Sequence, residues 1–292
     1  MSTEHASLSL IPGLSAVAGR YSALLCDVWG VLHNGRAPYP GVCEALEAYR
    51  KAGGIVLFLS NAPRPHGPVV KMFEAMGVPG AAYDGILTSG DATREAMASG
   101  DLGKRFFHVG PDRDHPLFDG LALEKTALEE ADFVLMTGLW DDETETPDDY
   151  AELIGEMKAR GLKVICANPD IIVDRGEKQI YCAGAVAEKY RKAGGEVLYF
   201  GKPHPPIYEA AFRHLEELAG RPLDKSEVLA VGDGIHTDVA GANKAGVDVI
   251  YVTGGIAASR FGDVMEPELA RIAEYMEEEG THAIGAMPRL IW

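Results

Sequence analysis

Short, continuous apolar runs alternate with longer segments of helical spacing along most of this chain. Ala23–Val28, Ile55–Leu59, Val197–Phe200, Val228–Val231 and Val247–Val252 read as buried strands. Gly41–Ala52 reads as an amphipathic helix that stops at Gly53-Gly54. His66–Met76, Pro205–Leu218 and a stretch near Asp238–Ala245 also read as helices. Strands that run apolar throughout and are joined by helices are the mark of βαβ units around a largely parallel sheet. The proline of Ser60-Asn61-Ala62-Pro63 keeps the second strand from continuing.

The middle of the chain repeats the alternation. Phe106–Val109, Phe133–Met136 and Val164–Ala167 read as strands, and Asp148–Arg160 and Ala183–Lys192 as helices. The pattern predicts an α/β protein in which a second α/β domain, residues 89–199, is inserted into a core formed by residues 1–88 and 200–292. The acidic run Trp140–Glu145 reads as a solvated loop before a helix with Pro147 in its first turn, and Pro267–Trp292 carries one further helix. No internal repeat or low-complexity segment is expected.

At 292 residues with 47% apolar content, the chain can fill full cores, and no apolar run reaches the length of a membrane span. Met1–Ser9 lacks the basic and apolar regions of a secretory signal. Four cysteines without metal-type spacing read as reduced thiols, which points to the cytoplasm. A formal net charge of −17 excludes nucleic acid and anionic membranes as expected partners. It leaves room for local phosphate binding by backbone amides and a single lysine.

Chemistry concentrates at the carboxyl ends of the strands, where open α/β sheets bind ligands. Asp27 ends the run Leu24-Leu25-Cys26, and Ser60 ends the second strand. Lys202, in Gly201-Lys202-Pro203, follows the strand at 197–200 and is placed to neutralise a phosphate. Asp233 and Asp238 flank the glycine-bearing loop after Val231, a donor set suited to a hard divalent cation. Taken one at a time, each residue is as readily a cap, a turn or a loop residue. A dinucleotide fingerprint is excluded, because Gly232 and Gly234 are not followed by the third glycine.

The order aspartate, hydroxyl, lysine and paired acids resembles the four motifs of the haloacid dehalogenase (HAD) superfamily. Leu59-Ser60-Asn61, Ile86-Leu87-Thr88-Ser89-Gly90, Asn168-Pro169-Asp170, Gly201-Lys202-Pro203 and Gly232-Asp233 with Thr237-Asp238 make it similar to the class IIA branch, over roughly residues 20–260. The branch includes p-nitrophenyl-phosphatase-like and sugar-phosphate phosphatases. The resemblance implies a Rossmann-like core with a parallel sheet and the inserted α/β cap domain of that branch. It also implies a hydrolase acting on a small phosphorylated metabolite, with Asp27 as nucleophile and Lys202 beside it. Mg²⁺ would be held by Asp27, the main-chain carbonyl of Trp29, Asp233 and Asp238. Ser60, Asn61 and Asp170 are the expected substrate contacts, and a homodimer through the cap is expected from the branch alone.

One departure matters. Phosphatases of the superfamily carry a second aspartate two residues after the nucleophile, as general acid/base, and this chain has Trp29. Such assistance is worth about 10²–10⁴-fold, so activated phosphates should be hydrolysed better than alkyl ones. His33 and His236 are the nearest residues that could take over the proton. A non-catalytic phosphometabolite-binding protein is the alternative reading. Dehalogenase-like chemistry is a weaker one, since those enzymes are metal-independent and this chain keeps Asp233 and Asp238.

Overall fold

A computed structural model describes residues 8–175 and 178–292 of the chain. Thirteen strands follow in order among these residues. They are β1 (Ala23–Cys26), β2 (Ile55–Ser60), β3 (Gly85–Thr88), β4 (Arg105–Val109), β5 (Glu124–Lys125), β6 (Phe133–Met136) and β7 (Lys163–Cys166). The set continues with β8 (Ile172–Arg175), β9 (Lys178–Tyr181), β10 (Val197–Tyr199), β11 (Val228–Gly232), β12 (Asp248–Val252) and β13 (Gly285–Met287). The fold is α/β, as expected, and the chain divides into two compact units.

The first unit comprises Met1–Ser60, Lys71–Ile86 and Tyr208–Trp292. Its sheet has the strand order β13-β12-β11-β1-β2-β3. β1 pairs in parallel with both β2 and β11, so it lies at the centre and is buried along its whole length. That explains its unbroken apolar sequence, because a central parallel strand has no solvent face. The strand order switches at β1, with β2 and β3 added on one side and β11, β12 and β13 on the other. This is the switch point at which open α/β sheets place their ligands.

The second unit comprises Asn61–Val70 and Leu87–Ile207. It therefore takes in residues 61–70, 87–88 and 200–207 besides the 89–199 span expected from sequence. Its sheet has the order β10-β7-β6-β4-β5, and every pair in it is parallel. β8 and β9 form a separate antiparallel hairpin. Val134, Met136, Val164, Cys166, Val186 and Tyr190 form a core on one side of this sheet, and Phe106, Phe133, Leu135 and Ile165 on the other.

The expectation of no internal repeat needs correction. The six residues Tyr-Arg-Lys-Ala-Gly-Gly occur at 49–54 and again at 190–195, once in each unit. In both, the tyrosine near the end of a helix lies over the second glycine, where a Cβ would overlap its ring. The first glycine takes a left-handed turn, φ 94° at Gly53 and 91° at Gly194, which only glycine adopts cheaply. Each tyrosine hydroxyl then donates to a main-chain carbonyl, Tyr49 to Tyr21 (2.8 Å) and Tyr190 to Leu162 (2.5 Å). The device turns a helix sharply into the next strand. It is only six residues long, too short to stand out against the rest of the chain.

No helix among the described residues is long and apolar enough to cross a membrane. None of the four cysteines is in a disulfide, and burial pushes the thiols of Cys43, Cys166 and Cys182 above the ordinary range.

Candidate active site

Three carboxylates come together in the first unit. Asp27 is the residue after β1, Asp233 the residue after β11, and Asp238 lies in the wide helical turn Ile235–Val239 that follows. All three are buried, and their ligand atoms lie within 4.8 Å of one another. Parallel pairing brings the first two side by side, since Cys26 is in register with Val231 and Asp27 N–H donates to the Val231 carbonyl at 2.8 Å.

The surrounding chain is shaped to let these carboxylates approach. Gly30 has φ 90°, and a Cβ there would overlap Asp233 Oδ2. A Cβ at Gly255 would overlap the same oxygen from another side, and Ile256 N–H donates to it at 2.6 Å. Gly232 leaves space for the Asp238 side chain. Asp238 Oδ2 accepts from Gly234 N–H at 3.0 Å and from the Thr237 hydroxyl at 3.4 Å. Three like charges in a buried site repel one another strongly unless a cation offsets them. Their all-oxygen donor set fits a hard divalent ion.

Trp29 is 40% exposed and does not fill the core. Its ring lies against Gly35, where a Cβ would come within 2.6 Å of the indole, and meets the His33 ring edge-on at 5.3 Å. His33 is fully buried. Its Nδ1 accepts from Gly35 N–H at 2.9 Å, its Nε2 has no hydrogen-bond partner among the described residues, and burial lowers its pKa to about 4. A neutral ring without solvent access has no route to a leaving group. His236 is at the surface, with Nδ1 3.5 Å from Glu279. The structure gives neither histidine the place of a relocated acid.

A second set of expected residues meets in the second unit. Asn61 Oδ1 accepts from Lys202 N–H at 2.7 Å, while Asn61 Nδ2 donates to the Lys202 carbonyl at 3.1 Å and to Asp170 Oδ1 at 2.8 Å. One amide side chain thus holds the main chain of Lys202 from both sides and ties it to the Asn168-Pro169-Asp170 turn. Asp170 N–H in turn donates to Asn168 Oδ1 at 3.1 Å. Gly201 permits this close approach, because a Cβ there would be 2.5 Å from Asn61 Oδ1 and from Pro169. Lys202 is 3% exposed. Ser60 ends β2 in the first unit and is half-buried.

The sequence reading named these residues but not their bonds to one another. It also missed Gly255, whose signal was the Gly254-Gly255 pair one residue beyond the end of β12. The contact of Arg64 with Asp114, 3.6 Å in the second unit, had no sequence signal at all.

Residues 24–124 match the family model described as haloacid dehalogenase-like hydrolase, and residues 199–278 match a second, HAD-hydrolase-like model. A hydrolase of the haloacid dehalogenase-like family from Brucella suis 1330 is 43% identical. Its crystal structure superposes with a TM-score of 0.85, covering 97% of this chain and 100% of that one. Ribonucleotide monophosphatase NagD of Escherichia coli K12 is 27% identical over 242 residues, covering 80% of this chain and 88% of NagD. Bovine (Bos taurus) chronophin is 26% identical over 267 residues, covering 84% of this chain and 85% of chronophin.

Proposed function

Because the chain belongs to the haloacid dehalogenase-like hydrolases, in their class IIA branch, we propose that it hydrolyses the phosphate monoester of a small metabolite through a covalent aspartyl-phosphate at Asp27. The observation that carries this reading is the meeting of three buried carboxylates at the ends of two adjacent central strands. Phosphoryl transfer needs a positioned nucleophile and an offset for negative charge, and this geometry is suited to both.

Asp27 attacks phosphorus, the bond from phosphorus to the ester oxygen breaks, and the leaving oxygen departs as alkoxide or phenoxide and takes its proton from water. Water then cleaves the acyl-phosphate bond and regenerates the carboxylate. Asp27, Asp233 and Asp238, with the main-chain carbonyl of residue 29, are the groups that would hold Mg²⁺, which supplies charge neutralisation between nucleophile and phosphoryl group. That last ligand is main chain, so a tryptophan there is compatible with it. Ser60 and Lys202 bind the phosphoryl oxygens. Asn61 and Asp170 act on the substrate through Lys202, whose main chain Asn61 holds.

Trp29 donates no proton to a leaving oxygen, so good leaving groups are favoured. Two copies pair through the inserted domain, as expected from the branch. The test is turnover of an aryl phosphate with Mg²⁺, measured beside Asp27→Asn and in chelator. Activity that disappears in both supports the reading. Tight phosphate binding without turnover would replace it with the phosphometabolite-binding alternative, which Trp29 favours.

A further inference from the structure

The ion pair of Arg64 and Asp114, both in the second unit, is poorly made for stability. Asp114 lies in the short helical turn Asp112–Leu117 and is 2% exposed, so its carboxylate is out of water. Arg64 Nε stands 3.6 Å from Asp114 Oδ1, beyond hydrogen-bonding distance. Neither atom has a hydrogen-bond partner among the described residues. A buried carboxylate with one oxygen left unbonded is costly, and burial pushes the Asp114 carboxyl up against the pull of Arg64 and of a hydrogen bond with the Thr137 side chain.

The main chain of Arg64, by contrast, is held firmly. The Thr88 hydroxyl donates to the Arg64 carbonyl at 2.7 Å, and Gly90 N–H donates to the Ala62 carbonyl at 3.0 Å. Gly90 is pressed so close that a Cβ would come within 2.5 Å of the Arg64 main chain. The arginine is therefore rooted on the first turn of the helix Ser89–Ala98. Its side chain is 40% exposed although Nε is buried, so the exposure lies elsewhere along it. The guanidinium has one face toward a buried carboxylate and donors to spare.

Position gives this cation a use. Arg64 is three residues beyond Asn61, the residue that holds Lys202, so their Cα atoms are at most about 10 Å apart. A small molecule anchored at Lys202 can span that distance. The planar fork of arginine matches carboxylate and phosphate bidentately, which a point charge does not.

We propose that Arg64 is a specificity residue that binds a second anionic group, carboxylate or phosphate, on the substrate, with Asp114 fixing its inner edge. The substrates are then phosphorylated acids or bisphosphates rather than phosphorylated alcohols. This inference rests on the phosphatase reading and names its substrate class.

The experiment is calorimetric binding of three non-hydrolysable ligands to the full chain with Mg²⁺. They are 3-phosphonopropionate, propane-1,3-bisphosphonate and 3-hydroxypropylphosphonate, which differ only at the end remote from the phosphonate. At least one of the two acid-ended ligands should bind about ten- to hundredfold more tightly than the hydroxyl compound, the worth of hydrogen bonds to a charged group. Which of the two does so separates carboxylate from phosphate. Arg64→Met should bring the three affinities together, and Arg64→Lys should keep part of the preference; melting temperatures of both variants verify folding. Equal affinities in the wild type, or a preference that survives Arg64→Met, would overturn the inference. Aryl-phosphate turnover without any preference overturns it alone, whereas absence of both binding and turnover overturns the phosphatase reading and the inference with it.

Discussion

Gly30 and Asp233 are in mutual contact across the ends of β1 and β11, with no room for even one methyl group between the glycine Cα and the carboxylate. The glycine is needed twice over. Its φ of 90° is a conformation that other residues adopt at a cost, and its missing side chain is the space that Asp233 Oδ2 occupies. The third residue after Asp27 thus shapes the cluster of three carboxylates through the space it leaves.

Gly30→Ala should therefore act on the metal. The strained backbone costs about 1–3 kcal/mol of stability, and the displaced carboxylate should reduce Mg²⁺-dependent turnover by about 10²-fold, as expected for a misplacement near 1 Å. Titration calorimetry with Mg²⁺ checks this separately from activity. A variant that binds the ion as the wild type does would show that Asp233 can move aside freely.

Trp29 makes a second prediction. The ring rests on Gly35 and His33 at the protein surface, so its removal opens no core cavity. Trp29→Asp should raise turnover of alkyl phosphates relative to aryl phosphates by at least about tenfold, within the range attributed to general acid–base assistance. The ratio of kcat/KM for the two substrate classes is the measurement. An unchanged ratio would mean that protonation of the leaving group does not limit the wild-type enzyme.

Acidification should weaken the protein through His108. This residue is 4% exposed, its Nε2 lies 2.9 Å from the Thr137 hydroxyl, and burial, with Lys125 and His115 adding to it, lowers its pKa to about 4. The unfolded chain, with an ordinary imidazole, takes up its proton near pH 6.5, before the folded protein does. Stability due to the neutral ring is thus complete above about pH 6.5 and is lost as pH falls toward 4, in all by about 3 kcal/mol. His108→Gln keeps a polar group for Thr137 and does not titrate. Urea unfolding between pH 7 and 4.5 should show a shallower decline for the variant, and parallel curves would mean that His108 is not the group responsible.

Much of this was legible along the chain, and the failures have a common cause. β1 and β2 could be read because a central parallel strand is apolar throughout and stops at a polar residue, Asp27 or Ser60. The strand at Val197–Tyr199 could also be read, but not its sheet: β10 pairs with β7 of the second unit, a partner more than 30 residues distant in sequence. β13 is three small residues, Gly-Ala-Met, whose pattern carries no signal, and it forms because β12 offers an open edge. β8 and β9, Ile-Val-Asp-Arg and Lys-Gln-Ile-Tyr, do not alternate polar and apolar residues, and no element was expected there. At the site, the carboxylates and the lysine stood out as residue types in order. The roles of Asn61 and Asp114 did not, because both depend on contacts between positions far apart along the chain.

Asn61 permits the most demanding test. Its amide presents an acceptor to Lys202 N–H and donors to the Lys202 carbonyl and to Asp170. Asn61→Asp keeps the acceptor but sets a carboxylate where Asp170 Oδ1 was 2.8 Å from a donor. Repulsion there should push Lys202 out of place and lower kcat/KM by about 10–100-fold, as when one partner of a buried polar pair is left unmatched. Asp170→Asn alone should cost less, because its amide can still turn its oxygen toward Asn61. The double variant Asn61→Asp/Asp170→Asn restores one donor and one acceptor across the gap, with the donor now on the turn. It should recover much of the loss, giving a coupling energy of about 1–3 kcal/mol in a double-mutant cycle. Additive losses would mean that Asp170 acts on the substrate directly and not through Asn61 and the main chain of Lys202.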